Sequence, residues 1–351
     1  MKVNVFKLPQ SRPDDVSALD ALIESGELDP AAIVAILGKT EGNGCVNDFT
    51  RGFATQTLKA YLQTKIDAET VQGIVYVMSG GTEGVISPHL TVFTREEVAS
   101  YVTQHWGLVL GTARTRSFLP EEIGSLSMVK TVAVAVEEAI AEAGLGKSDV
   151  HFVQIKCPLV TSTQFKQSDR SPIGSRNSYQ SMAYSRGASA LGVAVALGEV
   201  DLAQLSAEDI CTNDALYSAV ASTSAGVEVQ NCEIFVLGNA PTSASSLIIS
   251  HSVMQHALDV EAVKQAIAQT DQPLQQIVNV FAKAEADPAG AILNRRHTML
   301  DDSDISATRM ARAVVGAVVA SVTQDPTIYI SGGSEHQGPP GGAPVAVISR
   351  L

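Results

Sequence analysis

Three lysines, Lys39, Lys156 and Lys283, each follow an apolar run of four or five residues, and three serines, Ser79, Ser224 and Ser331, each follow a β-leaning stretch. An arginine stands at or near the start of the helix expected after each lysine: Arg51, Arg186 and, in the third case, Arg309 or Arg312, both of which fit. A hydroxyl beside a neutral amine makes a Ser–Lys dyad, in which the amine takes the hydroxyl proton and the alkoxide attacks a carbonyl. A lysine is neutral near pH 7 only where burial and nearby cations depress its pKa, and three lysines with three arginines around one cavity supply both influences. The arginines, with the backbone N–H groups after each serine, hold carbonyl oxygens and stabilise growing negative charge. A single lysine at a strand end is ordinarily the chain surfacing. Three at matched positions, each followed by a strand-end serine, reverse that reading.

The serines sit in a stretch that occurs three times: Ser79-Gly80-Gly81-Thr82-Glu83, Ser224-Ala225-Gly226-Val227-Glu228 and Ser331-Gly332-Gly333-Ser334-Glu335. Around it the chain repeats one order of elements, β-α-β-(Lys)-α-(Arg)-β-(Ser). The first unit has strands at Val3–Leu8, Ile33–Leu37 and Ile74–Met78, with helices from about Asp14 to Ser25 and from Thr50 to about Gln63. The second has strands at Leu108–Gly111, His151–Ile155 and Glu233–Leu237, a helix over Met128–Ala143 closed by Gly144, and a helix from Ser185 to Leu197 after a polar insertion, Thr161–Ser178. In the third, strands fall at Leu247–Ser250, Ile277–Ala282, Thr327–Ile330 and Val345–Ile348, with helices over His256–Ala268 and around Arg309 and Arg312. The expectation is an α/β fold of three similar β-α-β-α-β domains, residues 1–104, 105–250 and 251–351, about a pseudo-threefold axis with one central site.

A net charge of −13 speaks against nucleic acid or an anionic membrane as the main partner, though local cations can still hold a small anion. No run is apolar and long enough to span a bilayer, and the N-terminus carries no secretory pattern. Four cysteines without a CxxC pair read as reduced thiols in a cytoplasmic protein. Other motifs fail: Gly38-Lys39-Thr40 lacks the earlier glycine of a phosphate loop, where Ile33 stands, and Leu191 replaces the last glycine of a nucleophile elbow at Gly187-Ala188-Ser189-Ala190. The seven histidines contain no HExxH; His336 reads as a loop residue and Cys157 as inert.

Six stretches, Gly38–Gly44, Met78–Gly84, Val153–Pro158, Tyr184–Ser189, Phe281–Ala286 and Ser331–Pro339, together resemble the cyanuric acid hydrolase/barbiturase family, and more closely the cyanuric acid hydrolases. The resemblance covers essentially the whole chain. It implies ring-opening hydrolysis of cyanuric acid to carboxybiuret, which loses carbon dioxide to give biuret, with no catalytic cofactor. It also implies Lys156 and Ser224 as the reactive dyad. Lys39, Arg51, Ser79, Gly80, Arg186, Ala225, Lys283, Arg312, Ser331 and Gly332 would bind the substrate. A structural Mg²⁺ or Ca²⁺ held by Glu285 and oxygens around Ser334, Gln337, Gly338, Pro339 and Gly342 is implied too, as is a homotetramer. A flat ring alternating C=O and N–H with threefold symmetry matches a site built from three copies of Ser, Lys and Arg. A barbiturase is the alternative within the class; outside it stand a non-catalytic binder of small anions and a metal-dependent amidohydrolase.

Overall fold

A computed structural model describes residues 1–98, 106–167 and 177–351. The first unit runs β1 (Lys2–Pro9), α1 (Ser17–Glu24), β2 (Ile33–Thr40), α2 (Phe49–Leu62), α3 (Ala68–Gly73), β3 (Val75–Gly80) and β4 (His89–Glu96). The second runs β5 (Gly107–Arg114), α4 (Leu126–Ala143), β6 (Val150–Pro158), α5 (Ser162–Gln167), α6 (Ser178–Leu197), β7 (Ala221–Gly226) and β8 (Glu233–Ala240). The third holds β9 (Leu247–Met254), α7 (Val260–Ala268), β10 (Ile277–Ala284), a small hairpin of β11 (Ala291–Ile292) and β12 (Arg295–Arg296), α8 (Ala307–Thr323), β13 (Tyr329–Gly332) and β14 (Ala343–Arg350).

Each unit builds one four-stranded mixed sheet in the same order: β1-β4-β2-β3, β5-β8-β6-β7 and β9-β14-β10-β13. The fold is therefore the expected set of three similar α/β units, with one addition. A fourth strand, antiparallel to its neighbours, separates the first strand from the lysine strand in every sheet. In the first unit this strand, β4, went unread. The expected boundary at 104/105 lies outside the described residues, as does part of the polar insertion. The boundary at 250/251 falls inside β9, which pairs with β14 of the third sheet along its whole length, so the third unit's sheet begins at Leu247.

The two faces of each sheet bury different things because successive strand side chains alternate sides. On β2, Ala35 and Leu37 point to a core shared by all three sheets, where Phe93, Phe152, Phe235, Phe281 and Tyr329 pack ring to ring. The opposite faces carry the unit's own helices over separate cores: Ile36 and Met78 in the first unit, Ile155 and Cys157 in the second, Val280 and Ala282 in the third. Period two then puts Lys39 on the shared side after Ala35 and Leu37, and Lys283 there after Phe281. The same alternation puts Ser79 after Val75 and Val77, and Ser331 after Tyr329. Among the described residues no helix is long and apolar enough to cross a membrane.

Candidate active site

The lysine strand and the serine strand of each unit are parallel neighbours, and their register sets which side chains stand opposite each other. Lys39 pairs with Ser79, Lys156 with Ser224 and Lys283 with Ser331, each as direct cross-strand partners. All three lysines are fully buried and the serines nearly so. Lys39 Nζ lies 3.3 Å from Ser79 Oγ and donates to Gly80 O at 3.3 Å. Lys283 Nζ lies 3.1 Å from Ser331 Oγ and donates to Gly332 O at 3.1 Å and Thr223 O at 2.8 Å. The middle pair differs: Lys156 Nζ donates to Met78 O at 2.9 Å and meets Glu228 Oε1 at 2.6 Å. Among the described residues its hydrogen bonds do not include Ser224. Lys156 thus reaches the main chain just before the first unit's serine, and Lys283 the main chain just before the second's.

The arginines come from the helices. The Asp48 carboxylate caps α2 by accepting from Thr50 N at 3.0 Å, which fixes the first turn and turns Arg51 inward, 2% exposed. Asn177 caps α6 through Gln180 N at 2.9 Å, so that helix starts about two turns before the expected Ser185 and carries Arg186 at its third turn. Arg312 lies in the second turn of α8, 3% exposed, whereas the Arg309 side chain is 39% exposed.

A small cavity is lined by Arg51, Ser79, Gly80, Arg186, Ser224, Ala225, Arg312, Ser331 and Gly332, with Gly44 and Met182. All three serines and an arginine from each unit face it, and the three lysines stand beside the serines. Arg309 borders the adjoining outer space with Tyr179 and Ser306 and does not line this cavity. A larger, mostly apolar cleft over Val46, Phe165 and Tyr179 is lined by none of the three serines. The expected residues therefore converge, Arg312 rather than Arg309 among them.

Three residues escaped the sequence reading: Glu83, Glu228 and Glu335, each four places after its serine. Glu83 takes both Nε (2.8 Å) and Nη2 (2.6 Å) of Arg312, and Glu335 takes Nε (2.8 Å) and Nη2 (2.6 Å) of Arg186. Each is thus a two-pronged clamp across a unit boundary. The spacing was a signal; the partners, which for Glu83 and Glu335 lie in other units, were not.

Burial pushes Lys39 well below the ordinary lysine range, helped by the Arg312 charge, and pushes Lys283 down to about 7, with Arg186 contributing. Burial also lowers Lys156, but the Glu228 carboxylate opposes it. The glycines after two of the serines are required by space. A Cβ on Gly80 would sit 1.8 Å from Asp48 Oδ2, and one on Gly332 would sit 2.5 Å from Arg312 Nη1.

The proposed ion site is a cleft lined by Glu285, Ser334, Glu335, Gly338, Pro339 and Gly341, among others. Burial and the neighbouring Glu335 charge raise the Glu285 carboxyl above its usual range, and Thr308 Oγ1 donates to both its oxygens at 3.1 Å. A half-buried carboxylate in a cleft lined by Ser334, Gly338 and Pro339 has the oxygen chemistry that a hard cation takes. Gln337 fits only through its main chain, since its Oε1 accepts from Thr223 N at 2.7 Å and its Nε2 donates to Gly333 O and Glu335 O, each at 3.2 Å. His336 accepts from Cys211 N at Nε2 (2.7 Å) and donates from Nδ1 to Leu216 O (2.5 Å), so both ring nitrogens hold loops together.

Residues 4–350 match the model of the amidohydrolase ring-opening protein family. A cyanuric acid amidohydrolase of Enterobacter cloacae is 50% identical over the full length of both chains. A solved cyanuric acid hydrolase, described as an evolutionary innovation by structural concatenation, superposes with a TM-score of 0.95 at 46% identity over 100% of this chain and 99% of that one. The crystal structure of the cyanuric acid hydrolase from A. caulinodans gives 0.95 and 46% over 99% of each. Full-length matches of this kind, on a chain whose lysines, serines and arginines converge on one small cavity, place it plainly: it belongs to the ring-opening amidohydrolases.

Proposed function

We propose that this chain is a cyanuric acid amidohydrolase that opens the ring with a Ser–Lys dyad. The observation that carries the reading is the meeting of three register-matched Lys–Ser pairs at one cavity with three arginines, a donor pattern repeated as the ring's own C=O and N–H groups repeat. Lys156 takes the Ser224 proton while Oγ bonds to a ring carbonyl carbon. The ring C–N bond then breaks and the departing nitrogen takes the proton from Lys156. Water releases the acyl group from Ser224, and the resulting carboxybiuret loses carbon dioxide to give biuret. Lys39–Ser79 and Lys283–Ser331 hold the two other edges of the ring, and Arg51, Arg186 and Arg312 hold its oxygens as charge grows on them. Glu285, with main-chain oxygens around Ser334, Gln337, Gly338, Pro339 and Gly342, would hold a Mg²⁺ or Ca²⁺ ion, which when bound would fix the third serine loop against β10.

The test is biuret formation by Ser224→Ala and Lys156→Ala. Each should lose turnover by at least ~10³-fold with the thermal transition preserved. Near-normal turnover by either variant would end the proposal. Parallel kinetics on barbituric acid, which carries CH₂ in place of one ring N–H, distinguishes the two substrates. A threefold site should favour cyanuric acid.

A further inference from the structure

The three units follow one rule of pairing, and the middle one breaks it. Glu83 and Glu335 each grip an arginine of another unit with both oxygens. Glu228 has the equivalent arginine, Arg51, only 3.7 Å from its Oε1, and spends that oxygen on Lys156 Nζ at 2.6 Å. Arg51 turns instead to Cys45 O, at 2.9 Å. The loops differ accordingly. Gly81 (φ 102°) and Gly333 (φ 81°) pass through the left-handed region, and Gly226 does not.

We propose that Glu228 completes a Ser224–Lys156–Glu228 relay and is the residue that makes the middle dyad the reactive one. It is a positioning residue, acting through Lys156, and the inference rests on the function proposed above. When the Ser224 proton moves to the amine, a positive charge appears on a nitrogen with no exposure to solvent. A carboxylate already in contact with that nitrogen stabilises the charge as it forms, as the acid of a Ser-His-Asp triad does for its imidazole. Among the described residues, neither Lys39 nor Lys283 has a carboxylate within ion-pairing distance; each spends its amine on its serine and on carbonyls. Those two pairs can orient a ring, but among the described residues a proton passed to either amine would meet no carboxylate in contact with it. The charged and titratable groups that act on the Lys156–Glu228 pair are Arg51 from α2 and, from the opposite face of β6, the Cys157 thiol. The proton leaves Lys156 for the ring nitrogen, so Glu228 neither gains nor loses one over the cycle.

The experiment compares pH–rate profiles of Glu228→Gln, Glu228→Asp and Glu83→Gln with cyanuric acid as substrate. Glu228→Gln should lower kcat about 10²–10⁴-fold, the range for a lost acid–base partner, while KM changes only a few-fold. Its acid limb in kcat/KM should move to lower pH, because the carboxylate holds the lysine proton more tightly. Glu228→Asp should move the limb part of the way and recover part of kcat. This readout stands even if Glu228→Gln is too unstable to assay. Glu83→Gln, which loosens an arginine clamp, should raise KM and leave the limb in place. An unmoved limb in both Glu228 variants, or a kcat loss no larger than that of Glu83→Gln, overturns the inference. If that happens while Ser224→Ala and Lys156→Ala are inactive, the dyad stands and only the role of Glu228 falls. If those two variants are active, the function itself has failed first.

Discussion

Removing one side of the Glu83–Arg312 clamp should loosen both the fold and the site. Arg312 is 3% exposed and Glu83 18%, and the two are joined by contacts of 2.8 and 2.6 Å. Taking away the carboxylate leaves a buried guanidinium that keeps, among the described residues, a hydrogen bond to Asn43 O at 3.3 Å and no ion pair, a loss worth about 3–5 kcal/mol when a buried pair is broken from one side. At about 2.1 cal/mol/K per residue, a chain of 351 residues has an unfolding entropy near 0.7 kcal/mol/K, so Glu83→Ala should lower Tm by roughly 4–7 °C. Arg309 touches the same carboxylate at 3.3 Å from a more exposed position, and Arg309→Ala should cost less than ~1 kcal/mol, as solvent-screened pairs do. The assay is a double-mutant cycle on Glu83→Ala and Arg312→Met by denaturant unfolding, with KM for cyanuric acid measured on each variant. A coupling of at least ~2 kcal/mol, with KM raised in both single variants, is the expected result. Coupling below ~1 kcal/mol would show that the pair behaves like a surface salt bridge and does not tie the first unit to the third.

Two further outcomes follow from buried titratable groups. His89, fully buried on β4 with Nδ1 2.9 Å from Ser87 O, has its pKa pushed by burial from 6.5 down to about 4. The unfolded chain takes up that proton first, so stability is lost as pH falls from about 6.5 to about 4, at up to ~1.4 kcal/mol per pH unit. Denaturant unfolding at pH 7 and pH 5 should show a loss about 2 kcal/mol larger in the parent than in His89→Gln; equal losses would contradict a neutral buried imidazole. At the Glu285 cleft, Ca²⁺ or Mg²⁺ added to chelator-treated protein should raise Tm, by about 2.7 kcal/mol of stability at a hundredfold excess over Kd. Glu285→Gln should abolish that rise, and an undiminished rise in the variant would place the ion elsewhere.

The sequence was most legible where a side chain's place depends on its own strand. Alternation along Ala35-Ile36-Leu37-Gly38-Lys39 puts the lysine on one definite face, and the thrice-repeated serine motif marks where the neighbouring strand ends. The helix α4 was equally plain, because an Ala/Val/Glu run closes on Gly144, which adopts the left-handed conformation at φ 67°. What was missed depends on contacts between distant residues. The strand β4 alternates apolar and polar residues only loosely over His89–Glu96, and its identity comes from pairing with both β1 and β2. The start of α6 was hidden by a polar first turn, which Asn177 caps.

The departure of the middle motif shows the limit most clearly. Ala225 in place of glycine was visible in the sequence, and so was the shared spacing of the three glutamates; neither said which copy does the chemistry. The coordinates show how the three copies differ in their contacts. Asp48 presses on Gly80 and Arg312 on Gly332, so those two loops have no room for a methyl group, while Ala225 packs into the second unit's own core. The two glycine loops deliver their glutamates to arginines, and the third delivers Glu228 to a lysine. A threefold scaffold can bind a threefold ring with three equal edges, but it can attack at only one carbonyl at a time. On the mechanism proposed above, the attacking copy is the one where an amine becomes charged at low cost, with the Glu228 carboxylate placed against it.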